Sequence, residues 1–228
     1  MGHAWLAWVR QTWEMGETSI TAAGVIDTFL VLLIGIGPKL ALVPFVEVTA
    51  PLDPATKRRV LRKMLTTAAI VAVLLMVLGE LLRALLHFTI GSLSIAGGVI
   101  LFVLAVGMVL SPPDGGSRSM VGKDPMQLAM FPLAVPYLLN PAGIVTLVTL
   151  SAESSSIAVL AVAVGVLAVV LALDVLVFRW AVQIGDKLDP GRMLVTEKVF
   201  GFLLAALGVQ LVLNGLSDVG VIHLTTGH

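Results

Sequence analysis

The stretch LLNPAGIVTL, residues 138–147, lies inside a long apolar run that otherwise has the composition of a membrane helix. Asn140, Pro141 and Gly143 disfavour a helix interior, chiefly because proline lacks an N–H group and glycine loses more backbone entropy than other residues. A similar interruption occurs earlier, in LIGIGPKLALVPF at residues 33–45. The sequence therefore predicts two broken helices.

The composition is that of a membrane protein. The chain is 58% hydrophobic and 12% charged, and its mean hydropathy of +1.04 lies outside the range of soluble domains. Acidic and basic residues are equal in number, so no basic surface indicates nucleic acid. There is no cysteine, and the four histidines show no metal-ligand spacing. We therefore expect neither a metal site nor a nucleic-acid partner.

Six segments are long and apolar enough to cross a bilayer, since a crossing helix needs about 20 residues. Backbone groups within the hydrocarbon core must be satisfied inside their own segment, which makes each crossing helical. The sequence thus predicts an all-α membrane protein whose helices contact the lipid bilayer. The predicted crossings are 22–46, 60–86, 91–110, 126–151, 157–178 and 194–216.

Basic residues are distributed unevenly between the predicted connections. Eleven Lys and Arg residues lie in or beside the odd-numbered connections, whereas the opposite side holds Arg10 and Arg83. The remaining basic residue, Lys39, lies within a helix. By the positive-inside rule the odd connections are cytoplasmic. We therefore expect a multi-pass protein of the plasma (cytoplasmic) membrane with both termini outside.

A fixed offset of 103 residues relates the two interruptions, because Pro38 falls on Pro141. The same offset places Gly98 on Gly201 and Leu101 on Leu204, so GGVILFVLAVGM, from residue 97, overlaps GFLLAALGVQL, from residue 201. Self-similarity at one offset indicates an internal repeat. Two halves with three crossings each enter the membrane from opposite sides, so the predicted architecture is a pair of inverted-topology three-helix repeats with broken first and fourth helices.

The expected organisation is one membrane domain, 21–217, with a short segment at each end. Its halves are 21–110 and 126–217, joined by a linker at 111–125. Segment 1–20 carries three tryptophans at helical spacing, which are suited to the headgroup layer, so we expect an interfacial segment. Residues 218–228 form a C-terminal tail.

Paired interruptions at matching places of two halves are typical of the midplane binding site of a transporter. Half-helix N-termini carry partial positive charge and favour a group such as a carboxylate. The alternative interpretation is that each proline only kinks a packed helix, which membrane helices tolerate. The candidate substrate-binding residues are Gly37, Pro38, Lys39, Asn140, Pro141, Gly143, Thr146, Thr149 and Gln210.

Lys39 has two interpretations because a buried ammonium is costly. Its long side chain can extend to the cytoplasmic face, or it can line a cavity and hold a substrate carboxylate. Its possible acidic partners are Glu47, Glu80 and Asp174. Glu80 is expected to pair with Arg83 near the outer face, which leaves Asp174 as the better candidate for a buried contact.

Three stretches together resemble the MarC family of integral membrane proteins, which is grouped with the LysE transporter superfamily. They are PLAVPYLLNPAGIVTLVTLS (132–151), IAGGVILFVLAVGMVL (95–110) and GFLLAALGVQLVLNGL (201–216). The resemblance covers residues 20 to 217. It implies six helices, an inverted repeat and transport of small neutral amino acids.

The chain departs from the family pattern in its first half. Gly37 stands where the resemblance implies Asp or Asn, and Ser94 and Gly107 stand where it implies arginine. The second half keeps Gln210 and the motif around Asn140. These departures put the usual substrate and coupling ion in question, but not the fold.

The sequence therefore predicts a secondary transporter or exporter of small solutes, with small neutral amino acids as the expected substrates. No cofactor is expected, although Na⁺ or H⁺ is a possible coupling ion. No acid, base or nucleophile constellation indicates an enzyme. The alternative is a non-transporting structural or accessory subunit of a membrane complex. The sequence does not indicate the oligomeric state.

Overall fold

A computed structural model describes residues 22–110, 124–154, 156–184 and 190–222. The predicted segment 1–20, most of the linker and residues 223–228 of the tail lie outside these residues. The described part is all-helical. Its helices are α1 (Ala22–Gly35), α2 (Pro38–Thr49), α3 (Pro54–Leu86), α4 (Ile90–Leu110), α5 (Pro125–Leu128), α6 (Pro141–Glu153), α7 (Ile157–Ile184) and α8 (Pro190–Asp218).

Four of these helices, α3, α4, α7 and α8, are long and apolar enough to cross a membrane. They contain the four uninterrupted crossings expected from the sequence. Their ends extend beyond the apolar segments. For example, α3 begins at Pro54 rather than at residue 60, because Asp53 caps it by accepting from the backbone N–H groups of Ala55 and Thr56, each at 3.0 Å.

The other two predicted crossings are interrupted helices. The first consists of α1 and α2, which are separated at Ile36 and Gly37. The second consists of a π-helical segment, Ala129–Leu138 (the π segment), followed by α6. This second interruption is longer than expected: Phe131 and Val135 already have extended backbone angles, beside Pro132 and Pro136. Proline removes a helix hydrogen bond and crowds the preceding turn, which accounts for the distortion.

The main core is apolar and joins α1, α2, α3, the π segment, α6 and α7. Its largest fully buried side chains include Phe45 of α2 and Phe178 of α7, whose rings meet edge to face with centroids 5.2 Å apart. The outer faces of the long helices are also apolar, as shown by Leu81 and Phe202, which are exposed. In a membrane protein such faces contact lipid tails.

Helices α4 and α8 form a separate antiparallel pair that packs against α6 and α2. Small residues lie opposite one another along the contact: Gly91 with Gly215, Gly98 with Gly208, and Ala105 with Gly201. A Cβ atom on Gly98 would lie 2.6 Å from the Gly208 carbonyl oxygen. The seven-residue spacing of these positions lets the two backbones approach closely over four turns, as small residues do in membrane helix pairs.

The predicted ion pair near the end of α3 is present. Arg83 donates from Nε and Nη2 to the two carboxylate oxygens of Glu80, each at 2.6 Å. Both side chains are partly exposed. This two-point contact removes Glu80 as a partner for Lys39, as the sequence indicated.

Candidate functional site

The two interruptions meet each other directly. Ile36 and Leu139 form an isolated antiparallel bridge. On one side of the pair the Gly37 N–H donates to the Leu138 carbonyl at 3.3 Å, and on the other the Asn140 N–H donates to the Gly35 carbonyl at 3.1 Å. Backbone groups released by each break are therefore satisfied by the other break, as a dry interior requires.

The side chain of Asn140 stabilises this junction with hydrogen bonds. It is fully buried and caps α6, because its Oδ1 accepts from the Gly143 N–H at 3.0 Å. Its Nδ2 donates to the Ile34 carbonyl at 3.0 Å, near the end of α1. In this conformation the amide thus holds protein backbone on both sides, whereas the sequence led us to expect it to face a substrate carboxylate.

Gly143 lies where α6 crosses the end of α1. Its backbone and that of Gly35 are so close that a Cβ atom on either residue would overlap the other's main chain. Both glycines are buried. Gly143 was singled out from the sequence, but Gly35 was missed, although it stands two residues before Gly37 in the same motif.

The first turn of α2 differs from that of α6. Pro38 occupies its first position, and Gly37, at the N-cap, provides no side-chain hydrogen bond. Lys39 follows in the same turn and is half-buried. Its ammonium makes no hydrogen bond or ion pair with another described residue, so it is the cation that this turn leaves available. The predicted pairing of Lys39 with Asp174 is not present.

A group of ionisable side chains lies near the C-terminal end of α2. Glu47 is two turns, or about 12 Å, further along α2 than Lys39. Glu47 and Tyr137 of the π segment are close enough to Glu197 of α8 to interact electrostatically. Lys198 lies close enough to both carboxylates to offset their charge. The contact between α2, the π segment and α8 is therefore polar at the end of α2 that lies away from the break.

The remaining predicted residues lie further from the junction. Thr146 and Thr149 are half-buried on α6, six and nine residues beyond Asn140. The Gln210 Nε2 donates to Oδ1 of Asn214 on the same helix at 2.8 Å. The described contacts of Gln210 do not reach either break, so the structure brings together Gly37, Pro38, Asn140, Pro141 and Gly143, but not Gln210.

Two acidic residues in the apolar helices have buried carboxylate oxygens without a hydrogen-bond partner among the described residues. Both carboxylate oxygens of Asp174 on α7 are buried and make no hydrogen bond with a described residue, and one oxygen of Asp27 on α1 is in the same situation. Asp174 was a candidate from the sequence, as a partner of Lys39, whereas Asp27 was not recognised. The signal was available, because an acidic residue inside an apolar segment is a functional candidate by itself.

Comparison with known proteins identifies a family of integral membrane proteins. Residues 23–219 match the MarC family integral membrane protein. Among curated proteins, the chain is 27% identical over 178 residues to UPF0056 membrane protein YvbG of Bacillus subtilis, covering 75% of this chain and 84% of that protein. It is 26% identical over 198 residues to UPF0056 inner membrane protein YhgN of Escherichia coli, covering 84% and 95% respectively.

A UPF0056 membrane protein of Pyrococcus abyssi is 25% identical over 205 residues, covering 84% of this chain and 96% of that protein. No solved structure matches the chain. The matched region begins in α1, ends just after α8 and includes both breaks. This protein belongs to the MarC family of integral membrane proteins.

Proposed function

We propose that this protein is a secondary transporter of small zwitterionic solutes, with small neutral amino acids as its substrates. The observation that carries the proposal is the direct junction between the two broken segments at Ile36 and Leu139. Interrupted helices that meet inside a membrane protein are the usual site of substrate binding in secondary transporters. Each break loses helix hydrogen bonds, and a rigid structural protein could keep them by using continuous helices.

The proposal includes six crossings arranged as an inverted repeat. The hydrogen bonds at the junction support this repeat. At the offset of 103 residues, Gly37 corresponds to Asn140 and Gly35 corresponds to Leu138. The bond from Gly37 to Leu138 and the bond from Asn140 to Gly35 are therefore equivalent under the repeat. Ile36 and Leu139 exchange with each other, as expected of residues beside a local two-fold axis.

The packing of α4 on α8 has the same symmetry. At the offset of 103 residues, Gly98 corresponds to Gly201 and Gly208 corresponds to Ala105, so the close approach of Gly98 to Gly208 is equivalent to that of Gly201 to Ala105. Both approaches are present, and they lie on one antiparallel contact. Two independent contacts thus support the symmetry that the sequence offset predicted.

The substrate is proposed to bind at the first turn of α2. Its carboxylate would meet the uncapped N–H groups and the partial positive charge of this helix end, with Lys39 adding a cation. Thr146 and Thr149 remain candidates for hydroxyl contacts once the junction opens.

Orientation and location belong to the proposal as well. We infer from the excess of basic residues beside the odd connections that both termini are outside. The inner-membrane designation of YhgN supports the same location for this protein. Coupling to Na⁺ or H⁺ and the absence of an enzymatic reaction are further parts of the proposal.

An accessory subunit is the second candidate, and the engagement of Asn140 favours it. A fully buried amide whose contacts are all to protein backbone is what a static junction requires. The direct junction of two broken helices favours transport instead.

Uptake and counterflow of an amino-acid panel into proteoliposomes distinguish the two candidates. The transporter proposal predicts counterflow of at least one neutral amino acid by the wild-type protein. A Lys39→Met variant should lose that activity, whereas Lys63→Met, which changes an exposed lysine of α3, should retain it. Absence of transport for the whole panel, with and without Na⁺ and H⁺ gradients, would favour the accessory subunit.

A further inference from the structure

Asp174 is buried on the face of α7 that packs into the protein. The buried positions of α7 follow a helical stripe, Ala163, Leu167, Val170, Asp174, Phe178 and Ala181. Every other member of this stripe is apolar, and Asp174 itself is 0% exposed. Its carboxyl group therefore points into the core and not toward lipid or a water-facing end.

The described residues around this carboxyl group give it no partner. Neither oxygen has a hydrogen bond with a described residue. Helix α7 packs against α1, α2, α3 and α6. The ionisable groups that these helices hold at least partly inside are Asp27, Lys39, Glu47, Lys57, Glu80 and Arg83. Glu153 of α6 and Arg179 of α7 are exposed. None of these groups forms an ion pair or a hydrogen bond with Asp174.

The position of Asp174 connects it to the first break. Phe178 meets Phe45 of α2, and α1 also packs against α7. Only six residues of α7 follow Phe178, so α1 contacts the part of α7 that precedes Phe178. Because α1 comes before α2 in the chain, α1 and α2 run in the same direction as α7. One turn earlier along both helices lie Asp174 and Ala41, between the Phe45 contact and the break at Gly37.

We propose that Asp174 is a proton-binding site, occupied by a proton while the two breaks are joined and emptied when the bundle opens. An ionised carboxylate without donors or a counter-ion is not stable in such surroundings, whereas the neutral acid is tolerated. A metal cation such as Na⁺ would need several oxygen ligands, but Val170 and Phe178, one turn away on either side, provide none.

The chemical step is a simple acid dissociation. When α2 moves away from α7 and water enters, the O–H bond of Asp174 breaks, the proton passes to water and a hydrated carboxylate remains. Closure requires the reverse step before the carboxyl group can be buried again. This inference rests on the proposed transport function only for the opening movement, and it makes Asp174 the group through which a proton gradient drives that movement.

Cysteine labelling tests the link between opening and proton release. The chain has no cysteine, so Ala41→Cys introduces a single reactive group at a fully buried position of α2. Its labelling rate is measured against pH with Asp174 present and with Asp174→Asn, and the ratio of the two rates cancels the ionisation of the thiol itself. Opening that releases one proton should raise this ratio by about tenfold for each pH unit between about pH 5 and pH 7.

Ala105→Cys, buried between α4 and α8 away from α7, is the matched control and should show a constant ratio. A constant ratio at residue 41 as well would overturn the proposal. Slower labelling in NaCl than in KCl, lost in Asp174→Asn, would also overturn it by indicating a sodium site.

Infrared spectroscopy of the wild-type protein keeps the proposal testable if Asp174→Asn does not fold. A carbonyl band of a protonated carboxylic acid should be present at neutral pH and should shift in deuterium oxide, and its absence would contradict the proposal. An Asp27→Asn variant should retain the band. If no solute is ever transported, the transport proposal fails while the labelling and infrared results still decide the proton site.

Discussion

Ile36 and Leu139 face each other across an antiparallel backbone bridge, although they are 103 residues apart in the chain. The bridge joins the C-terminal end of α1 to the residues just before α6, so each break supplies the hydrogen-bond partners that the other needs. This relationship explains how two interruptions can persist in a bilayer, where an unsatisfied backbone group costs several kcal/mol.

Gly143→Ala should destabilise the protein by about 1–3 kcal/mol, because the added methyl group overlaps the backbone of Gly35. Equilibrium unfolding in mixed micelles measures the change. The control is Gly165→Ala on α7, where a Cβ atom would have no neighbour within 4 Å. That substitution should be neutral or stabilising, since alanine favours helix over glycine. Equal effects of the two substitutions would refute the close approach.

Asn140→Ala should lower the free energy of unfolding by about 1–3 kcal/mol, because it leaves the Gly143 N–H and the Ile34 carbonyl without partners. Hydrogen exchange should accelerate at residues 140–144 and 34–37 together. Asn214→Ala is a matched amide substitution on α8 that leaves the junction intact. Faster exchange confined to residues 140–144 would show that the contact between Asn140 and α1 is unimportant.

The pairing of α4 with α8 depends on small residues, so Gly98→Ile should separate these helices. A larger side chain at position 98 overlaps the carbonyl oxygen of Gly208. The free energy of unfolding should fall by about 1–3 kcal/mol or more. Gly107→Ile, on the same helix but with open space around it, provides the comparison. The account of this contact is wrong if Gly98→Ile unfolds no earlier than Gly107→Ile.

The orientation can be tested with one substitution because the chain has no cysteine. Arg58 is exposed near the start of α3, and the basic-residue asymmetry places it in the cytoplasm. Arg58→Cys should react with a membrane-permeant thiol reagent in intact cells, but not with an impermeant reagent added outside. Labelling by the impermeant reagent would reverse the proposed orientation.

The sequence predicts the positions of the breaks because their causes are local. Pro38 and Pro141 occupy the first position of α2 and α6, where a missing N–H group costs nothing. The pairing of Glu80 with Arg83 is likewise a neighbour effect within one helix. Gln210 and Asn214 have the same one-turn spacing, so their hydrogen bond was predictable, yet the resemblance directed attention to the breaks instead.

Contacts between distant segments were not predictable in the same way. The partner of the Asn140 amide is the Ile34 carbonyl, 106 positions earlier in the chain, and no side-chain pattern marks a backbone acceptor. Asp174 has no hydrogen-bond partner among the described residues because of the residues that face it from four neighbouring helices, and the sequence does not show which residues these are. A single sequence gives the period of a buried face but not the identity of the groups across from it.

The central claim is that transport requires the two breaks to separate, and a reversible cross-link between them tests it most directly. Residues opposite each other in a bridge of this hydrogen-bond pattern have Cα atoms about 4.5 Å apart, within the range that a disulfide spans. The double substitution Ile36→Cys and Leu139→Cys can therefore form the only disulfide in the protein. The measurement is amino-acid counterflow in proteoliposomes before and after reduction, with each single substitution as a control. The account predicts that the oxidised double variant is inactive and that reduction restores transport. Counterflow that is equal in the oxidised and reduced protein would contradict it.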